Sequence, residues 1–208
     1  TTSPASAYAI LDAMHKGLNN FFLFSAHKVM PPALKALVDE ELKIDGFIAP
    51  GHVSSITGIE IYRFLPEQYR KGVVVSGFEP LDIMQSILQL VRQHENNTPN
   101  VENQYKRVVR PEGNRKAMEL LERVFEPVDD YWRGLGVIPD SGMQLCEEFN
   151  RFDAGKHFSL SLKESQEPKG CICGEILKGL KTPKDCPLFN SACTPDNPVG
   201  ACMVIGAG

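Results

Sequence analysis

A chain of 208 residues is long enough to bury a substantial core, as one large domain or as a medium domain with an appendage, and the second arrangement is expected here. A net charge of −4 and a pI near 5.8 exclude the basic surface that nucleic acid or an anionic membrane would call for. The longest apolar runs are a handful of residues, far short of the ~20 needed to span a bilayer, so the sequence reads as a soluble cytoplasmic protein.

Thr1-Thr2-Ser3-Pro4 reads as a capping turn with proline in the first helical positions, leading into a helix that carries Ile10, Ala13 and Met14. A parallel α/β unit normally opens on a strand, and none precedes this helix, so the sequence is expected to be part of a longer chain. Phe21-Phe22-Leu23-Phe24 has the length and apolarity of a first strand, followed after Pro31-Pro32 by a helix-patterned stretch from Ala33 to Leu42. Gly46-Phe47-Ile48-Ala49 predicts the second strand and Val73-Val74-Val75 the third. The third leads through Phe78-Glu79-Pro80 into a helix with Leu81, Met84, Ile87, Leu88 and Val91 on one face. Apolar strands alternating with amphipathic helices predict an α/β fold, a parallel sheet with helices on both faces in a Rossmann-like topology.

Further on, Asn96 to Asn100 reads as a surface loop, and Arg115 to Phe125 as a covering helix with Met118, Leu121, Val124 and Phe125 at helical spacing. The single tryptophan lies in Trp132-Arg133-Gly134-Leu135-Gly136, a glycine-rich turn that suggests a tight packing corner. Cys146, after Met143 and Leu145, reads as a small buried hydrophobe. Residues 1–162 are expected to form the α/β domain with its covering helices, and residues 163–208 a cysteine-rich region.

Parallel strands point one way, so the loops after their carboxyl ends gather on one edge, where open α/β folds place ligands. Those loops are polar. Ser25 and His27 follow the first predicted strand, Pro50-Gly51-His52-Val53-Ser54 the second, and Ser76-Gly77-Phe78-Glu79 the third. His27, Pro50, Gly51, His52, Ser54 and Glu79 are therefore the candidate cleft residues. Helix capping competes with this reading, since Ser and His after a strand, and Glu at a helix start, are ordinary terminal residues. The repetition over three loops favours a cleft. No Gly-x-Gly-x-x-Gly, phosphate loop or Gly-x-Ser-x-Gly elbow occurs, which disfavours a dinucleotide enzyme, a nucleotide hydrolase and an α/β hydrolase. His15 and His94 read as solvated surface positions and His157 as a satisfied interior histidine.

Five of the six cysteines fall in the last part of the chain: Cys171-x-Cys173, then twelve residues to Cys186, six to Cys193 and eight to Cys202. So short and proline-rich a tail cannot be held by burial alone. Thiolates are soft ligands and no histidine lies between Cys171 and Cys202, which favours an iron-sulfur cluster or an all-thiolate zinc site. The Cys186-Pro187 pair and the lack of Cys-x-x-Cys knuckles favour iron-sulfur. Disulfides fit poorly with an intracellular α/β pattern.

Several separated motifs resemble the HypD family: Asp45-Gly-Phe-Ile-Ala-Pro50-Gly51-His52-Val53-Ser54, Gly77-Phe78-Glu79-Pro80-Leu81-Asp82-Ile83, Trp132-Arg133-Gly134-Leu135-Gly136, and the tail from Cys171-Ile-Cys173-Gly174-Glu175 through Cys202-Met203-Val204. The resemblance implies a maturation factor for nickel-iron hydrogenase. It would be a redox-active scaffold rather than a turnover enzyme, assembling the iron, cyanide and carbon monoxide group with the partners HypC and HypE. It also implies a 4Fe-4S cluster on Cys173, Cys186, Cys193 and Cys202, with Cys171 as the alternative first ligand, and iron carried as an intermediate near His52. Two departures stand out. The Cys-Gly-Thr-His-Glu and Cys-Pro-Val-Cys motifs of the family are absent from this sequence, and the end after Val204 differs. The readings that compete are a zinc-stapled α/β interaction module without a redox role and a small-molecule enzyme using His27, His52 and Glu79.

Overall fold

Gly72-Val-Val-Val-Ser76 is the most uniformly β-branched stretch of the chain, and it forms the central strand of a three-stranded parallel sheet. The computed structural model describes residues 2–158 and 168–204, so the expected boundary between 162 and 163 and the closing residues 205–208 lie outside the described residues. The helices are α1 (Ser3–His15), α2 (Met30–Val38), α3 (Gly51–Thr57), α4 (Phe64–Tyr69), α5 (Pro80–Glu95), α6 (Arg115–Val124), α7 (Ala154–His157) and α8 (Cys173–Leu177). The strands are β1 (Gly46–Pro50), β2 (Gly72–Ser76), β3 (Val101–Asn103), β4 (Phe125–Trp132) and β5 (Gly136–Leu145). The chain divides into two units. The first comprises Thr1–His27, Asp45–Pro127 and Met143–Ser159, and the second Lys28–Ile44, Val128–Gly142 and Leu160–Gly208.

In the first unit β2 pairs in parallel with β1, Gly46 opposite Gly72 and Pro50 opposite Ser76, and with β3, Val73 opposite Val101. Val73, Val74 and Val75 are wholly buried, as a central parallel strand covered by helices requires. α4 and α5 pack on β2. A second cluster joins α1 to α6 through Ile10, Leu121, Val124, Phe149 and Phe152. α1 carries its proline in the first turn, and Asn114 caps α6 by accepting from the Ala117 N–H at 3.1 Å.

α5 forms where its periodicity places it but turns the other way. Leu81, Met84, Ile87, Leu88 and Val91 are exposed, while Asp82, Ser86 and Gln93 are buried. Polar groups can occupy the inner face because each is bonded. Arg107 and Gln104 hold Asp82, the Ser86 hydroxyl donates to the Asp82 carbonyl, and the Gln93 amide donates to Asn100 and Glu102.

The expected strand Phe21–Phe24 is not a strand. It makes a single bridge, Leu23 to Asp153, and its rings serve side-chain packing instead, Phe21 on Phe152 and Phe22 on His157 and Phe158. His157 is exposed rather than interior, stacked on the Phe22 ring at 4.0 Å. α2 stops at Val38, short of the expected Leu42, because Asp39, Glu40 and Glu41 would otherwise sit on the negative end of the helix dipole.

In the second unit, the tryptophan corner is the tip of a β4–β5 hairpin, with Gly134 at φ 84° in the turn. The Trp132 Nε1–H donates to Ser141 Oγ at 2.8 Å, and the Lys28 ammonium lies 5.6 Å from the indole centroid. No helix among the described residues is long and apolar enough to cross a membrane.

Candidate functional site

The carboxyl ends of β1, β2 and β3 bring the loops after them together in the first unit. Gly51, where β1 turns into α3, lies so close to its neighbours that an added Cβ would sit 2.5 Å from both the Ser76 carbonyl oxygen and the Tyr105 ring. His52 follows, exposed in the first turn of α3, with its ring edge-on to Phe78 at 4.8 Å and tilted towards Tyr105 at 6.2 Å. The Arg107 guanidinium lies over the Tyr105 ring at 4.4 Å. It donates to both carboxylate oxygens of Asp82 at 2.8 and 2.6 Å and to Glu79 at 3.0 Å. His52 and Glu79 thus face solvent on one sheet edge, joined through Tyr105 and Arg107. Pro50 is half-buried. Ser54 is fully buried, donating to the Pro50 carbonyl and meeting the Tyr62 hydroxyl at 3.3 Å, so it braces α3.

His27 keeps different company. Its Nδ1 meets Ser25 Oγ at 3.1 Å and its Nε2 meets Ser6 Oγ at 3.5 Å, with the Phe125 ring edge-on at 5.2 Å. The Ser25 hydroxyl hydrogen goes to the Met143 carbonyl, so Nδ1 must be the protonated nitrogen and Nε2 the one with a lone pair. Burial pushes the imidazole below its ordinary value and keeps it neutral.

Asp82, Tyr105 and Arg107 were not legible as site residues. Asp82 sits inside an apolar-patterned helix, and β3 is too short and polar to announce the loop that follows it. Its pairing sets a pH dependence. Hydrogen bonds from Arg107 hold the Asp82 carboxyl at about 2 against the opposing effect of burial, with Gln104 adding to the lowering. An unfolded aspartate titrates near 3.9. The stability this pair contributes is therefore complete above that value and lost as the pH falls towards 2. Thermal melts between about pH 4 and pH 2 should show a steeper loss for the native protein than for Asp82→Asn. Gly51→Ala should cost about 1–3 kcal/mol in a denaturant titration, since the Ser76 backbone and Tyr105 must move to admit the methyl group.

The five tail cysteines form the second site, in the second unit. Cys173 opens α8 and is buried, with Gly134 packed against it; a Cβ on Gly134 would lie 2.8 Å from the Cys173 sulfur. Gly200 lies against the Cys171-Cys173 turn, where a Cβ would come within 2.8 Å of the Cys171 sulfur and 3.5 Å of the Cys173 sulfur. The Val199 N–H donates to the Cys193 sulfur at 3.3 Å. Cys186 follows a one-turn helix fixed by Thr182 and Asp185, whose carboxylate accepts from both the Thr182 N–H and hydroxyl. Burial pushes the Cys171 and Cys202 thiols up. Cys173 and Cys186 act on Cys171, while Cys171, Cys193 and Cys186 act on Cys202, so the five sulfurs share one electrostatic neighbourhood. All are free thiols. Among the described residues no three Cys, His, Asp or Glu side chains stand close enough to bind a single metal ion as placed. Cys146 packs at the rim of the first-unit core, its thiol pushed up by burial and by Glu126.

One unit with a parallel sheet and a polar strand edge, and another whose tail carries five cysteines, define an α/β protein of the thiol-rich kind. The family model HypD, described as "Hydrogenase formation hypA family", matches residues 1–208. The chain is 46% identical over 215 residues to the hydrogenase expression/formation protein HupD of Azotobacter chroococcum mcd 1, covering 100% of this chain and 57% of that protein. It is 43% identical over 215 residues to the hydrogenase maturation factor HypD of Azotobacter vinelandii, covering 100% and 57%. To the HypD of Rhizobium leguminosarum bv. viciae it is 43% identical over 216 residues, covering 100% and 56%. The chain belongs to the HypD family, and it spans little more than half the length of these relatives.

Proposed function

We propose that this chain is the part of a hydrogenase maturation factor that carries a 4Fe-4S cluster on its tail and offers the His52 edge to the iron being assembled and to the partners HypC and HypE. The observation that carries this reading is the convergence of Cys171, Cys173, Cys186, Cys193 and Cys202 in one neighbourhood, with glycine backbones pressed against the thiols and an N–H aimed at Cys193. The donor set fits: thiolates are the usual ligands of such clusters, and N–H groups on the sulfurs tune them. Zinc sites more often show tight Cys-x-x-Cys knuckles, which are absent between Cys171 and Cys202. Cys173, Cys186, Cys193 and Cys202 would hold the cluster, with Cys171 in reserve. When bound, it supplies electron transfer and ties down the tail, since binding free energy doubles as folding free energy.

At the sheet edge the residues bind and position. His52 offers an exposed imidazole, a common ligand for iron, oriented by Phe78 and Tyr105, while Arg107 fixes Glu79 next to it and braces the loop through Asp82. The test is complementation of a strain that lacks its own HypD, using the full-length protein. Cys193→Ser should abolish nickel-iron hydrogenase activity, and His52→Ala should reduce it while the cluster remains. Full activity in the Cys193→Ser strain would contradict the proposal.

A further inference from the structure

We infer that the concavity between α3 and the start of α6 binds the phosphate group of a small molecule. It lies in the first unit, needs none of the cysteines, and encloses about 740 Å³, within the span of small-molecule sites. Three cations line it, Arg110, Arg115 and Lys116, against one carboxylate, Glu112, on a chain whose net charge is −4. Elsewhere in this unit Arg63, Arg107 and Arg123 each hold a carboxylate of the protein. Arg110, Arg115 and Lys116 make no side-chain hydrogen bond or ion pair among the described residues, so three like charges line one concavity with only Glu112 to offset them. Guanidinium forks and an ammonium are the groups that recognise phosphate oxygens.

The backbone adds to this. Gly113, at φ 68°, is pressed against the end of α3, where a Cβ would lie 2.3 Å from the Ile56 carbonyl oxygen. The Asn114 N–H donates to that same carbonyl at 2.9 Å, which fixes the loop. Asn114 then caps the Ala117 N–H, leaving the Arg115 and Lys116 N–H groups at the head of a ten-residue helix without an acceptor among the described residues. Ser55 forms the opposite wall, its hydroxyl turned to the His52 carbonyl at 2.8 Å, so the pocket adjoins the strand-edge site. Exposed Val108 supplies an apolar wall for an organic body.

The test is an amide-resolved NMR titration of the intact chain, first with inorganic phosphate and then with ATP. Saturable shifts at Gly113, Arg115 and Lys116 are expected. Arg115→Glu should weaken binding about tenfold or more, as loss of a charge-assisted bond implies, and Glu112→Gln should tighten it. Arg115→Glu places a carboxylate in the first turn of α6, which the helix dipole favours, so the variant should stay folded. Equal affinity for both probes would assign the site to free phosphate, and tighter binding of ATP to a phosphorylated organic molecule. No saturable shift with either probe, or shifts indifferent to Arg115→Glu, would overturn the inference.

Discussion

Cys193→Ser is expected to remove the proposed cluster and, with it, the order of the tail. Cys193 is buried, its backbone N–H donates to the Leu188 carbonyl at 2.8 Å, and its sulfur accepts from Val199 at 3.3 Å, so both the thiol and the turn around it are set in place. A serine hydroxyl is a hard donor with a shorter reach, unsuited to iron that prefers thiolate. Retention of iron through gel filtration under anaerobic conditions should fall well over tenfold, since even disturbing the groups behind a ligand costs about 10–100-fold. Hydrogen exchange should rise across residues 171–203, a stretch with the five-residue α8, the single-turn helices Pro183–Asp185 and Ala201–Met203, and turns to hold it by itself. The Cys171→Ser variant separates the ligand sets: it keeps its iron if Cys173, Cys186, Cys193 and Cys202 are the ligands.

Phe149→Ala should carry the largest cost to stability, about 3–5 kcal/mol in a denaturant titration. The Phe149 ring is wholly buried in the cluster with Ile10, Leu121, Val124 and Phe152, and the Arg123 guanidinium lies 5.3 Å from its centroid, held there by Glu148. Truncation leaves a ring-sized void between α1 and α6 and strips the guanidinium of its aromatic face. A loss below about 1 kcal/mol would mean that this cluster is not the core of the first unit.

The sheet was readable where burial leaves the sequence little choice. Val73 to Val75 announce a buried parallel strand, and Met118, Leu121 and Val124 announce α6. Local pattern failed where tertiary bonds outweigh it. α5 has a clear apolar stripe, but Arg107, twenty-five residues away, pulls Asp82 inward and turns the stripe to solvent. Phe21 to Phe24 has strand composition, but its rings find partners in Phe152, His157 and Phe158, a choice no window around them reveals. Of the candidate cleft, His52, Gly51 and Glu79 share an edge because parallel strands force their loops together. His27 was placed there on the strength of a strand that does not form, and it sits with Ser6, Ser25 and Phe125 instead. The nearness of the tail cysteines to one another was foreshadowed by their spacing in the sequence, and metal binding there is the proposal made above. The closeness of Gly134 to Cys173 was not foreshadowed, since the two lie far apart along the chain.

Iron and acid-labile sulfide analysis of the chain after anaerobic reconstitution tests the thiol site most directly. Iron and sulfide are expected in equal amounts, about four of each per chain, with all but one of the tail thiols protected from alkylation. Stoichiometric zinc without sulfide, or five freely alkylated tail cysteines, would contradict the proposed cluster.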